Sequence, residues 1–211
     1  MNERPTADLG FVHRHARGVA GAPALLLLHG TGGDENDLIP LAKTVAPGSA
    51  LLSPRGKVNE GGMARFFRRY AEGVFDLQDV ADRADELAEF VTAARRHYDL
   101  PKPVAMGFSN GANIAAATIL RHPDLLAGAA LVRALPTIEP DETPDLHDVP
   151  VLIISGEMDP IIPLDEAKRL AEILRSAGAI VQHETLPAGH NLAQDDIRIL
   201  TEWLEQRRTA G

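Results

Sequence analysis

Apolar residues in this chain follow two rhythms. Residues 24–28 (Ala-Leu-Leu-Leu-Leu), 49–53, 104–106, 126–132 and 151–155 form short, nearly continuous apolar runs. That is the pattern of strands covered on both faces. Between them, apolar positions recur at three- and four-residue spacing over 38–45, 76–98, 164–177 and 194–206, which predicts helices with one buried face. In the longest of these, Leu77, Val80, Ala81, Ala84, Leu87, Ala88, Val91 and Ala94 share a face, with acidic residues outside. Residues 113–121 are apolar nearly all round, which predicts a helix sandwiched between other elements. A weak alternation over 9–16 suits an edge strand, and 179–186 a last strand before the closing helix. Pro47-Gly48, Pro54, Pro101, Pro103 and Gly178 punctuate these elements. Residues 55–76, rich in Arg and Phe, and 136–150 show no period and are read as irregular connections.

Strands alternating with helices predict an α/β fold, a doubly wound, mostly parallel sheet with helices on both faces. No internal repeat or long linker divides the 211 residues, so one domain over 1–211 is expected, without a large lid. Residues 1–8 are expected to be a flexible N-terminus. The balance of 21 Lys+Arg against 30 Asp+Glu gives a net charge of −9, which argues against nucleic acid or an anionic membrane as partner. With no cysteine, the chain has no disulfide framework, thiolate metal site or thiol nucleophile. No His-Glu-x-x-His or similar spacing offers a catalytic metal site. The polar opening lacks a signal-like apolar stretch, and no run approaches the ~20 apolar residues of a membrane span. The cytoplasm is therefore the expected location.

In such a sheet, ligands gather at the carboxyl ends of strands, and four of those ends are chemically loaded. The run at 104–106 enters Gly107-Phe108-Ser109-Asn110-Gly111, followed by a small, apolar segment. A strand, a sharp Gly-x-Ser-x-Gly turn and a helix hold a serine hydroxyl proud of the sheet, with the first helical amides pointing at it. His190, in Ala188-Gly189-His190, can serve as its base because imidazole titrates near working pH. Asp159 can orient that ring. Its rival, Glu157, follows Gly156 too closely to reach across, while Asp159-Pro160 also suits simple turn chemistry. His29-Gly30-Thr31-Gly32-Gly33 supplies free amides after the first buried run, and those of Thr31 and Asn110 are the expected oxyanion hole. His29 is read as a scaffold group beneath that loop, His183 and His122 as structural, and His13 and His15 as edge-strand residues. The same glycines fail as a dinucleotide fingerprint, because Glu35 stands where the third glycine belongs and the next strand ends in Ser53-Pro54.

These motifs carry a family resemblance. On Leu28-His29-Gly30-Thr31-Gly32-Gly33-Asp34-Glu35, Gly107 to Gly111, Gly156 to Pro163 and Ala188-Gly189-His190, the chain resembles the small serine carboxylesterases of the α/β-hydrolase superfamily. These are the phospholipase/carboxylesterase type, related to acyl-protein thioesterases and often labelled dienelactone-hydrolase-like. The segment from Arg65 to Phe75 is similar to a subgroup of bacterial esterases linked to hydroquinone or quinone tolerance. The order Ser, Asp, His is that of α/β-hydrolases. The resemblance implies hydrolysis of small to medium soluble carboxylic esters through an acyl-enzyme, with Ser109 as nucleophile, His190 as base, Asp159 as orienter and no cofactor. A thioesterase or lysophospholipase-like acyl hydrolase uses the same machinery, and a non-catalytic ligand-binding protein can use the same scaffold. The implied partner is a small-molecule ester, with no nucleic acid and no membrane insertion; a homodimer is left open.

Met63, Phe66, Phe67 and Phe75, with Ile161 and Leu192 beside the loops of Asp159 and His190, are candidate walls of an apolar pocket. Phe66 and Phe67 suit a satellite core equally. Arg65, Arg68 and Arg69 are read as a solvated face. Arg133 follows a buried run directly and needs a partner, either an acidic loop residue or an anionic substrate, and so joins the pocket candidates.

Overall fold

The computed structural model describes residues 8–140 and 142–208, so most of the expected flexible N-terminus lies outside the described residues. In chain order the elements are β1 (His13–Ala16), β2 (Ala24–Leu28), α1 (Ile39–Val45), β3 (Ala50–Pro54), β4 (Val58–Glu60), β5 (Met63–Arg65), β6 (Arg69–Ala71) and β7 (Val74–Phe75). There follow α2 (Leu77–Tyr98), β8 (Val104–Phe108), α3 (Asn110–Arg121), β9 (Gly128–Val132), β10 (Pro150–Gly156), α4 (Leu164–Ser176), β11 (Ile180–Leu186) and α5 (Gln194–Glu205).

Seven strands form one sheet in the order β1-β3-β2-β8-β9-β10-β11. All pair in parallel except β1, which runs antiparallel to β3 at one edge. Alternate strand residues separate two apolar layers. Leu26, Leu28, Ala105, Leu131 and Ile153 pack under α2, α3 and α4, while Leu25, Leu27, Met106, Val132 and Ile154 pack under α1 and α5. The continuous apolar runs are thus the signature of strands with helices on both sides. Every residue of α3 except Arg121 is buried, as its all-round apolar sequence predicts. Among the described residues, no helix is long and apolar enough to cross a membrane.

Residues 55–76 depart from the irregular connection expected of them. They fold into two antiparallel ribbons, β4–β5 and β6–β7, turned at Gly61-Gly62 (φ +59° and +92°) and Gly73 (φ +72°). Strands of two or three residues are too short to display a period, so only their glycine turns mark them. The Asp76 side chain then accepts the Asp79 N–H at 3.2 Å and starts α2.

Candidate active site

The turn from β8 into α3 is sharp and leaves little room. Ser109 adopts φ 52°, ψ −116°, a conformation rarely taken by a residue with a side chain. Its N–H donates to the Val132 carbonyl at 2.9 Å, which holds the strained peptide against β9. A Cβ at Gly107 would lie 2.6 Å from the Gly111 carbonyl oxygen, and one at Gly111 would lie 1.9 Å from that of Leu28. Both positions therefore exclude any side chain, and α3 begins at Asn110, immediately after the serine.

Ser109, His190 and Asp159 follow β8, β11 and β10, and the parallel sheet brings those carboxyl ends together. The Ser109 Oγ lies 3.0 Å from His190 Nε2, and His190 Nδ1 lies 2.9 Å from Asp159 Oδ2. A carboxylate only accepts, so Nδ1 carries the proton and donates to Asp159. That leaves the Nε2 lone pair to accept from the serine hydroxyl. Asp159 Oδ1 accepts the N–H groups of Ile161 (2.8 Å) and Ile162 (3.0 Å), and its side chain is fully buried. The rival Glu157 points to solvent. Phe108, which the sequence reading passed over, stands beside the imidazole with ring centroids 5.3 Å apart. A side chain at Gly30 would collide with that ring at 2.8 Å.

The loop bearing His190 is fixed from below by Arg133, and this corrects its assignment to the pocket. Arg133 is completely buried and forms a two-pronged ion pair with Asp196 of α5, both contacts 2.9 Å. Its Nε also donates to the Gly189 carbonyl (2.9 Å) and its Nη2 to that of Asn191 (3.3 Å), carbonyls of the residues on either side of His190. A guanidinium with these partners has no face left for a substrate. The partner required by the sequence is therefore a carboxylate in the first turn of a helix, and not a loop acid or a ligand.

Thr31 and Asn110 lie at the ends of β2 and β8. The Asn110 amide is the first of α3 and has no intrahelical acceptor. Beneath the Thr31 loop, His29 Nε2 accepts the Gly56 N–H at 3.0 Å, so its Nδ1 carries the hydrogen and donates to the Gly30 carbonyl at 2.7 Å. Burial pushes the His29 imidazole below its ordinary pKa, which the Gly30 bond partly opposes. This ring is committed to the scaffold. Arg65 corrects the reading of a solvated face. It is 3% exposed and donates to the Thr31 Oγ1 at 2.7 Å and the Phe67 carbonyl at 3.2 Å. Arg68 remains exposed and pairs with Asp76 and Asp79.

The apolar candidates divide. Phe66 and Phe67 are buried in the core, Phe66 against the His29 ring at 4.7 Å, and Phe75 packs edge-on to Phe67 at 5.4 Å. Phe66 and Phe67 are therefore core and not pocket wall, while Phe75 is half-buried at the edge of that core. Met63, Ile161 and Leu192 remain exposed, and Met63 lies against the loop at Gly32. A cavity of about 610 Å³ lined by His15, Arg17, His97 and Tyr98 opens at the amino ends of the strands, the end opposite Ser109. Among the described residues, no three His, Cys, Asp or Glu side chains gather as a metal ion requires.

A family model described as phospholipase/carboxylesterase matches residues 15–207. MhqD of Bacillus subtilis (strain 168), provisionally named a hydrolase, is 41% identical over 184 residues, 86% of this chain and 92% of its own. The crystal structure of a Bacillus cereus carboxylesterase superimposes with a TM-score of 0.89 at 39% identity, covering 92% of this chain and 93% of the other. That of a protein of unknown function from Agrobacterium tumefaciens superimposes with a TM-score of 0.86 at 39% identity, covering 96% and 100%.

Proposed function

This chain belongs to the phospholipase/carboxylesterase family, and from that premise we propose that it is a serine carboxylesterase acting on small to medium soluble esters through an acyl-enzyme. The observation that carries the reading is the hydrogen-bonded series Ser109–His190–Asp159 at the carboxyl ends of β8, β11 and β10. The Ser109 Oγ attacks the ester carbonyl carbon while His190 Nε2 takes the hydroxyl proton. The carbonyl π electrons move onto oxygen, and the amides of Thr31 and Asn110 donate to that oxyanion. Collapse breaks the bond to the alcohol oxygen, which leaves with the proton held on Nε2. Water then attacks the acyl-serine, giving its proton to Nε2. The second collapse breaks the bond to Oγ, which recovers that proton as the acid departs. Asp159 keeps the ring in the required tautomer and stabilises the imidazolium in between. Bond changes and protons balance with side chains, amides and water alone.

Met63, Ile161 and Leu192 offer an apolar rim for the acyl or alcohol group. The test is Ser109→Ala, assayed with p-nitrophenyl butyrate. Turnover falls about 10⁴-fold or more while circular dichroism is unchanged. Turnover persisting in that variant rejects the assignment.

A further inference from the structure

Three consecutive residues of the ribbon segment hold both halves of the proposed oxyanion hole. The Ala64 carbonyl accepts the Gly32 N–H at 2.9 Å. The Arg65 Nη1 donates to the Thr31 hydroxyl at 2.7 Å, and the Phe66 N–H donates to the Asn110 side-chain Oδ1 at 2.7 Å. Residues 31 and 32 belong to the loop after β2, and residue 110 starts α3, so one strap spans the two elements. Further ties secure its base. Gly56 donates to His29, and Arg55 grips Glu35 with two bonds of 2.5 and 2.9 Å. A Cβ at Gly56 would lie 2.3 Å from the Arg65 carbonyl oxygen, so the strap seats only against a bare backbone.

We propose that residues 64–66 are a brace that preorganises the oxyanion hole, with Arg65 its positioning residue. This rests on the reading of the Thr31 and Asn110 amides as oxyanion donors. A charged donor on the Thr31 hydroxyl fixes the rotamer and, through it, the direction of the adjacent N–H. The guanidinium is buried, and the Glu60 carboxylate at 3.4 Å offsets its charge. Arg65 reaches no substrate. Its contribution is geometric and is felt where the oxyanion forms, in the transition state and not in ester binding.

The experiment measures kcat and KM separately for p-nitrophenyl butyrate in the full chain carrying Arg65→Met, Arg65→Lys, Thr31→Val, Thr31→Ser or the double variant Arg65→Met/Thr31→Val. Arg65→Met and Thr31→Val each lower kcat by about 30-fold with KM within about threefold, since each loosens one oxyanion donor without deleting it. Arg65→Lys and Thr31→Ser, which keep a donor and a hydroxyl, retain more kcat than their partners. The double variant is no slower than the slower single, because both remove the same bond. Wild-type kcat in Thr31→Val, equal kcat in Thr31→Val and Thr31→Ser, or additive losses in the double variant overturns the brace. If Arg65→Met does not fold, the Thr31→Val and Thr31→Ser comparison decides alone. Ser109→Ala is run alongside. Turnover surviving there overturns the esterase reading itself, whereas turnover lost there with undiminished kcat in Thr31→Val overturns only the brace.

Discussion

Gly111 leaves no room for a methyl group. An added Cβ would sit inside contact distance of Leu28 and His29 backbone atoms, which neighbouring strands hold in place. Gly111→Ala is therefore expected to destabilise by about 4 kcal/mol or more, at the extreme of single substitutions, as a denaturant titration would record. A loss under about 1 kcal/mol would mean that the turn yields. The glycine itself was legible from the pattern Gly107-Phe108-Ser109-Asn110-Gly111, but its obstacle was not, because the Leu28 and His29 backbone is distant in sequence. The buried cations were not legible in the same way. Arg133 follows an apolar run, so its need for a partner could be read, but Asp196 lies 63 residues away. Arg65 sits among other arginines, and nothing near it in sequence distinguishes a guanidinium that turns inward from Arg68, which turns out.

At the level of elements, the Arg133–Asp196 pair joins the exit of β9 to the first turn of α5 and holds the loop of His190 between them. The Asp196 carboxylate also accepts the Ala193 N–H at 2.7 Å, closing the start of the helix. Arg133→Met leaves that carboxylate buried and unpaired, which costs about 3–5 kcal/mol. Adding Asp196→Leu removes the stranded charge and should recover more than half of the loss in thermal stability. The recovered protein should still turn over ester more slowly than wild type, because the Gly189 and Asn191 carbonyls stay unbraced. Full recovery of both would show that the guanidinium served stability only. The parallel strands were legible as continuous apolar runs buried on both faces, and the long helices by their period. The ribbons were not: β4 to β7 are two or three residues each, and the first ribbon is seated by bonds from Gly56, Arg65 and Phe66 to His29, Thr31 and Asn110 that sequence spacing does not encode.

For the molecule as a whole, acid stability follows from one buried imidazole and two half-buried ones. Burial lowers His29, with the Gly30 bond opposing, and lowers His183 and His15, each further depressed by nearby cations, from the ordinary value of 6.5. A group whose folded pKa lies below its unfolded one binds more protons in the unfolded chain as pH falls, so its stabilising contribution is full above pH 6.5 and drains away below it. The midpoint of thermal unfolding should therefore drop between about pH 7 and pH 5, and His29→Asn should flatten that drop. Parallel curves for wild type and variant would assign the effect to other groups.

The ribbon insert that carries Met63 to the rim is the same piece of chain that is laced to Thr31 and Asn110. If the proposed brace holds, a change in this segment that admits a different ester also disturbs the rate of the reaction. On that brace, what the site admits and how fast it turns over therefore share one short piece of chain, and neither can be altered there without touching the other.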